Sequence, residues 1–97
     1  MNAEQKELFR KAILRVLDGN RSRFGLGIVA IGHLLVAYSF TVATFKGDAA
    51  AFREAIADAL QYLCDKGLAE EVRKETDAAN RAWRLTDKGI EHLDEHP

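Results

Sequence analysis

Residues 24–45 contain no Asp, Glu, Lys or Arg, and this uncharged stretch of 22 residues constrains the fold more than any other feature. At about 1.5 Å per residue, a helix of this length reaches across a bilayer. Three glycines, a histidine and several hydroxyl side chains dilute its apolar character. A small domain also needs a strongly apolar central segment to fill its core. We therefore expect residues 24–45 to lie in a core rather than in a membrane.

Length and composition limit the class of protein. Ninety-seven residues suffice for one domain, so we expect residues 1–97 to fold as a single unit. With 47% hydrophobic and 30% charged residues and a net charge of −1, the chain is neither a disordered segment nor a uniformly basic coat protein. A single cysteine cannot form an internal disulfide, and the first 23 residues are too charged for a signal peptide. These features predict a cytoplasmic protein.

The spacing of apolar residues predicts two amphipathic helices. In residues 3–18 the apolar side chains recur with the 3.6-residue period of a helix, and Gly19 follows as a stop signal. Residues 49–66 show the same period after Asp48, a residue type that caps helix N-termini. Gly67 is placed to end this helix. Both helices are expected to bury their apolar stripes in one core.

Between these helices the uncharged stretch changes in character. Residues 22–26 are expected to form a connector or a short strand. The apolar run at residues 27–39 predicts a further helix, almost wholly buried. Residues 38–45 are rich in β-branched and aromatic side chains, so we expect them to be extended, with continuation of the helix as the open alternative.

The C-terminal third of the chain predicts a β-hairpin and a short helix. Residues 68–74 and 81–85 alternate loosely between apolar and polar side chains, and a polar tip at residues 75–80 separates them. Trp83 is expected to pack the hairpin onto the core. Thr86 is placed to cap the last helix. The sequence therefore predicts a mainly α fold with a small β-hairpin, in the α+β class.

The predicted elements follow the order of a winged helix-turn-helix, with three helices, a wing and a short C-terminal helix. In this chain the order is helix, connector, helix, helix, hairpin and short helix. Residues 49–93 closely resemble the third helix, wing and exit of MarR- and PadR-like bacterial regulators, whereas residues 3–45 agree only in element order. The resemblance lies in Leu60-x-x-Leu63-x-x-Lys66-Gly67-Leu68 and in Trp83-Arg84-Leu85-Thr86-Asp87-x-Gly89.

This resemblance implies a transcriptional regulator that binds double-stranded DNA. In such regulators the third helix enters the major groove and the wing lies along the backbone or the minor groove. On that basis Arg53 and Gln61 are the candidates for reading bases. The candidates for phosphate contacts are Arg73, Lys74, Arg81 and Arg84 on the wing, together with Arg21, Arg23 and Lys46.

Acidic residues on the same elements favour a second hypothesis. Glu54 and Asp58 on the third helix would repel phosphates, and Glu70 and Glu71 lie among the bases of the wing. A winged helix with an acidic third helix suits a protein–protein assembly module that does not bind DNA. The acidic helix would then contact a basic protein partner, or shield the groove-binding face in a homodimer. The two hypotheses differ in whether the basic residues converge on one face or are interrupted by acids.

Individual arginines have alternative roles as well. Arg53 is equally suited to an ion pair with an acidic neighbour on its own helix. For Arg81 and Arg84, phosphate contacts compete with cross-strand pairs to acids of the facing strand.

The uncharged stretch also bears on oligomeric state. MarR- and PadR-like regulators dimerise through additional helices, whereas this chain offers only residues 3–18, residues 24–45 and its short last helix. Since residues 24–45 exceed what one buried helix needs, we expect a homodimer that shares residues 38–45 or the face around them, with a monomer as the alternative.

The remaining chemically active side chains have structural explanations. Cys64 lies on an apolar stripe and is expected to be a buried, inert thiol. His33 is expected to be buried and hydrogen-bonded to backbone. His92 and His96 have the i, i+4 spacing of metal ligands, but they stand in an acidic C-terminal segment without a third ligand. No catalytic or phosphate-cradling motif is present, so we expect no enzyme activity, cofactor or metal.

Overall fold

The computed structural model describes residues 1–72 and 81–96. The α-helices are α1 (Ala3–Gly19), α2 (Ile28–Leu34), α3 (Ala49–Asp65) and α4 (Asp87–Glu95), the 3-10 turns are Leu35–Tyr38 and Val42–Phe45, and the strands are β1 (Ala69–Val72) and β2 (Ala82–Leu85). The described chain is therefore mainly helical with one small antiparallel hairpin, which confirms the predicted α+β class.

Helix α1 begins and packs as its sequence predicts. The Asn2 side chain accepts a hydrogen bond from the Gln5 amide at 2.8 Å, and the Gln5 side chain accepts one from the Asn2 amide in return. Phe9, Ile13 and Leu17 recur every four residues and are almost completely buried. This stripe forms one wall of the core and packs against α3.

Helix α3 supplies the opposite wall. The Asp48 carboxylate accepts a hydrogen bond from the Ala51 amide at 3.0 Å, as predicted for an N-cap. Ile56, Leu60 and Leu63 are almost completely buried, so the predicted stripe is the one that enters the core. The helix ends at Asp65, one residue before the predicted boundary.

The predicted second helix exists, but the expectation that it is almost wholly buried was wrong. Only Ile31 and Leu35 are fully buried, whereas Val29 and Val36 are 64% and 61% exposed. The physical reason is that α2 contains only seven residues and contacts its neighbours through one face. No helix in the described ranges is long and apolar enough to cross a membrane.

The prediction that residues 38–45 are extended was also wrong. Ser39 adopts a left-handed φ of 66° and turns the chain, and Val42–Phe45 is a 3-10 turn. The Thr44 hydroxyl accepts a hydrogen bond from the Thr41 amide at 3.1 Å, so the backbone bonds locally rather than to a strand. The aromatic rings enter the core from these turns: Phe40 stacks on Phe9 with ring centroids 5.0 Å apart.

The hairpin is anchored by Trp83, which confirms the predicted role of this residue. Strands β1 and β2 pair in antiparallel register, with Glu70 opposite Arg84. Trp83 is almost fully buried and exchanges two backbone hydrogen bonds, of 2.8 and 2.9 Å, with Leu26. The predicted connector strand is thus reduced to one bridge. Gly25 precedes it with a φ of 69°, where a Cβ would lie 2.7 Å from the Trp83 carbonyl oxygen.

Helix α4 closes the fold through a close backbone approach. The Thr86 hydroxyl donates to the Gly67 carbonyl at 2.6 Å and accepts from the Gly89 amide at 3.0 Å, which confirms the predicted cap. Gly89 is buried at this crossing, where a Cβ would overlap the carbonyl oxygen of Leu68. The helix therefore packs directly on the turn that leads into β1.

Candidate functional site

The outward face of α3 is acidic. Glu54, Asp58, Gln61 and Asp65 are exposed and follow the i, i+4, i+7, i+11 spacing of one helical stripe. Gln61, a predicted base reader, donates its side-chain amide to Asp65 at 2.9 Å. The stripe that would enter a DNA groove therefore carries three carboxylates and an amide already hydrogen-bonded within it.

Arg53 lies at the edge of this face, towards α2. It is exposed, and it makes no ion pair with any of residues 1–72 or 81–96, so the alternative pairing with an acid on its own helix is not observed. It lines a groove together with residues of α2.

The hairpin arginines form the cross-strand pairs of the alternative hypothesis. Arg81 donates two hydrogen bonds to the Glu71 carboxylate, at 2.7 and 3.1 Å. This carboxylate raises the pKa of Arg81 through the hydrogen bond and its charge. Arg84 pairs with Glu70 and also donates to the backbone carbonyl of Arg23 at 3.2 Å. Acids thus interrupt the predicted basic surface of the hairpin.

The other predicted phosphate contacts are only partly brought together. Arg21, Arg23 and Arg84 line one depression beside α4, in which Glu70 and Asp87 also lie. Arg21 is itself paired with Asp18 of α1. Lys46 is exposed after the second 3-10 turn and does not line this depression. The predicted contacts Arg73 and Lys74 lie outside the described residues.

An apolar groove of ≈ 500 Å³ runs between α2, the second 3-10 turn and the first half of α3. The two helices pack closely here, since a Cβ on Gly32 would be in van der Waals contact with the Phe52 ring, at 3.4 Å. The exposed Val29 and Val36 form its outer edge. The uncharged stretch is the sequence signal for this groove. It predicts buried residues, however, whereas part of the stretch is exposed and lines the groove.

The prediction for His33, at the rim of this groove, was also wrong. His33, predicted to be buried and bonded to backbone, is exposed and lines the groove beside Arg53. Because α2 presents one face to solvent, position 33 falls on the outside although its neighbours are apolar. The rim of the groove is polar while its floor is apolar.

Cys64 is half-buried against the core rather than fully buried. Burial raises the pKa of its thiol, and the charges of Glu71 and Asp65 raise it further. A raised pKa lowers the thiolate fraction, which agrees with the expectation of an unreactive thiol.

A second groove was not anticipated from the sequence. It has a volume of ≈ 520 Å³, lies between α1, the end of α3 and α4, and is lined by Arg10, Lys11, Lys66 and Lys88. These bases come from three helices that are far apart in the chain, so no local motif signals them. His92 and His96 lie on its α4 side with ring centroids 4.7 Å apart. Among the described residues, no three His, Cys, Asp or Glu side chains are grouped to hold a metal ion.

Comparison with known proteins identifies no relative. No protein-family model, curated protein or solved structure matches this chain. The interpretation of its surfaces therefore depends on their geometry and charge.

Proposed function

We propose that this chain is a winged-helix module for protein–protein assembly, with the groove beside α2 as its contact surface. The observation that carries the proposal is the exposure of an uncharged helix face. Val29 and Val36 of that face are exposed, and they border an apolar groove of ≈ 500 Å³. Exposed apolar surface of this kind, rimmed by polar residues, is typical of interaction sites.

The proposed winged-helix topology is supported by element order. Leu26, between α1 and α2, bridges to Trp83 of the hairpin, as a short first strand of a winged helix would. Helix α3 then leads directly into the β1–β2 hairpin, and α4 follows. In this topology α2 and α3 correspond to the helix-turn-helix pair, so the groove lies between its two helices.

The charge of α3 weighs against its use as a reading helix. Its outward stripe carries Glu54, Asp58 and Asp65, which DNA phosphates would repel. Arg81 and Arg84, the hairpin arginines that the structure describes, are already paired with Glu71 and Glu70. By the criterion that acids interrupt the basic residues, the assembly function is the better supported of the two.

A second copy of this chain is the partner that fits the groove. Because residues 24–45 carry no Asp, Glu, Lys or Arg, two copies can meet through this segment without like-charge repulsion. A two-fold dimer places the same patch of both copies against itself, which such an uncharged patch permits. The proposal thus keeps the expected homodimer but moves its centre from residues 38–45 to α2.

Sedimentation velocity tests this proposal over about 1–100 µM protein, the range in which weak dimers form. We expect the mass to rise toward twice the 10.8 kDa of one chain, and the variant Val36→Glu to stay monomeric. Leu8→Glu is the matched control, because Leu8 is equally exposed but lies on α1 outside the groove. A wild-type chain that stays monomeric throughout, or equal loss of dimer in both variants, would contradict the proposal.

DNA binding is a second candidate, favoured by one observation. Arg21, Arg23, Arg84 and Lys88 line a single depression beside the hairpin, where phosphates would make contact. The test is fluorescence anisotropy with mixed-sequence duplex DNA over a salt series. Affinity that falls steeply with salt and is lost in an Arg23→Gln/Lys88→Gln variant would support a role as transcriptional regulator. Absence of binding at low salt would exclude it.

A further inference from the structure

We infer that the groove between α1, the end of α3 and α4 binds a small organic anion with an apolar body. This site is distinct from the groove beside α2, and among the described residues it shares only Lys88 with the depression considered for DNA. Its volume of ≈ 520 Å³ lies within the size range of small-molecule sites.

The groove concentrates positive charge in a chain whose net charge is −1. Among the described residues that line it, Arg10, Lys11, Lys66 and Lys88 stand against one carboxylate, that of Glu7. Tyr62, His92 and His96 are the other ionisable side chains of this described lining. An anion in this groove would therefore meet a clear excess of cations.

Three of these cations form no salt bridge with the described carboxylates. Within residues 1–72 and 81–96, none of Arg10, Lys66 and Lys88 forms a salt bridge, whereas Arg21, Arg81 and Arg84 each do. A ligand carboxylate, sulfonate or phosphate would thus not have to displace an internal partner from these three groups.

Two of the cations lie against the Tyr62 ring, and the third lies over a turn. The Arg10 guanidinium lies 3.6 Å from the centroid of the Tyr62 ring, and the Lys66 ammonium lies 5.5 Å from the same centroid. Lys88 lies over the Gly67 turn, with its Nζ 3.8 Å from where a Cβ on Gly67 would stand. This order reduces the entropy that binding would otherwise cost.

The floor of the groove is apolar and determines the kind of anion. Leu14, Leu63 and Leu68 are buried beneath it and Leu93 is half-buried, while the Tyr62 ring is partly exposed at its side. A bare inorganic ion would leave this floor in contact with water, and a neutral hydrocarbon would leave the cations unused. An anionic group attached to an aromatic or aliphatic body satisfies both parts of the groove.

The probe for this inference is 8-anilinonaphthalene-1-sulfonate, whose fluorescence rises when its naphthalene leaves water. We expect saturable binding to the folded wild-type chain and a loss of affinity of about tenfold or more in Lys66→Gln/Lys88→Gln, since two charge-assisted contacts are removed. Lys6→Gln/Arg15→Gln removes the same charge from exposed positions outside both grooves and should bind as the wild type does. Circular dichroism confirms that each variant is folded.

A neutral analogue and residue-level mapping decide the remaining alternatives. N-phenyl-1-naphthylamine has the same apolar body without the sulfonate and should bind at least several-fold more weakly. Amide shifts induced by the sulfonate should cluster at residues 10, 62, 66 and 88. Equal binding of the two dyes, equal binding by the two double variants, or shifts centred on α2 would each overturn the inference. None of these outcomes depends on whether the chain dimerises, so the assembly proposal is tested separately.

Discussion

At the scale of single residues, two close approaches between backbone segments leave no room for a Cβ atom, so that only glycine fits there. Gly89 lies where α4 passes over the Leu68 carbonyl, and Gly25 lies against the Trp83 carbonyl with a positive φ. In both cases the nearest neighbour is backbone, which cannot move aside as a flexible side chain can. These glycines hold the last helix and the first bridge against the hairpin.

We predict that Gly89→Ala lowers the free energy of unfolding by about 1–3 kcal/mol, the usual cost of forcing extra atoms into a packed site. Its matched control is Gly19→Ala in the last turn of α1, where a Cβ meets nothing within 4 Å. That change should be neutral or stabilise by up to about 1 kcal/mol, because alanine is the better helix former. Urea unfolding measures both values, and equal effects at the two positions would argue against the crossing.

At the scale of elements, hydrogen-bonded caps define where helices begin, and ion pairs determine which charges a surface leaves available for binding. Asp48 and Thr86 accept backbone amides at the start of α3 and α4. On the hairpin, Glu70 and Glu71 form ion pairs with Arg84 and Arg81, which a DNA-binding wing would present to phosphates. The same local chemistry that stabilises the elements thus limits what their surfaces can bind.

We predict that Asp48→Ala destabilises the chain by about 1 kcal/mol, because the Ala51 amide loses its acceptor. Asp48→Asn retains an oxygen at the same place and should cost less than half as much. Thermal unfolding followed by circular dichroism gives the comparison. If the asparagine variant is as unstable as the alanine variant, the carboxylate acts through its charge rather than through this hydrogen bond.

At the scale of the whole molecule, two grooves of similar size differ in their charge. The groove beside α2 is apolar with Arg53 and His33 at its rim, whereas the groove beside α4 is lined by four bases. They lie at opposite ends of α3, so one can serve a second copy while the other holds an anion. Such a division gives a small chain two independent contacts.

We predict that the melting temperature rises with protein concentration, because dimerisation stabilises the folded chain by mass action. Val36→Glu should abolish this dependence yet leave the melting temperature at high dilution within about 2 °C of the wild type, since this side chain is exposed in the single chain. Calorimetry at two concentrations is the measurement. A large fall in stability at high dilution would instead assign Val36 to the core.

Helices α1 and α3, the hairpin and the last helix follow from local patterns in the sequence. Their apolar periods and capping residues act within a few positions of each other, so local rules suffice. Helix α2 was predicted as an element, but its exposure was not, because burial depends on how much surface its neighbours leave to cover.

The conformation of residues 38–45 and the charge of the surfaces depend instead on contacts between distant parts of the chain. Phe40 and Phe45 pack on the ring of Phe9, more than thirty positions away. This contact favours the turns over an extended strand. Glu70 and Arg84 neutralise each other because strand register places them opposite. Packing likewise brings three bases from distant parts of the chain to one groove, namely Arg10, Lys66 and Lys88. A local sequence pattern does not contain such contacts.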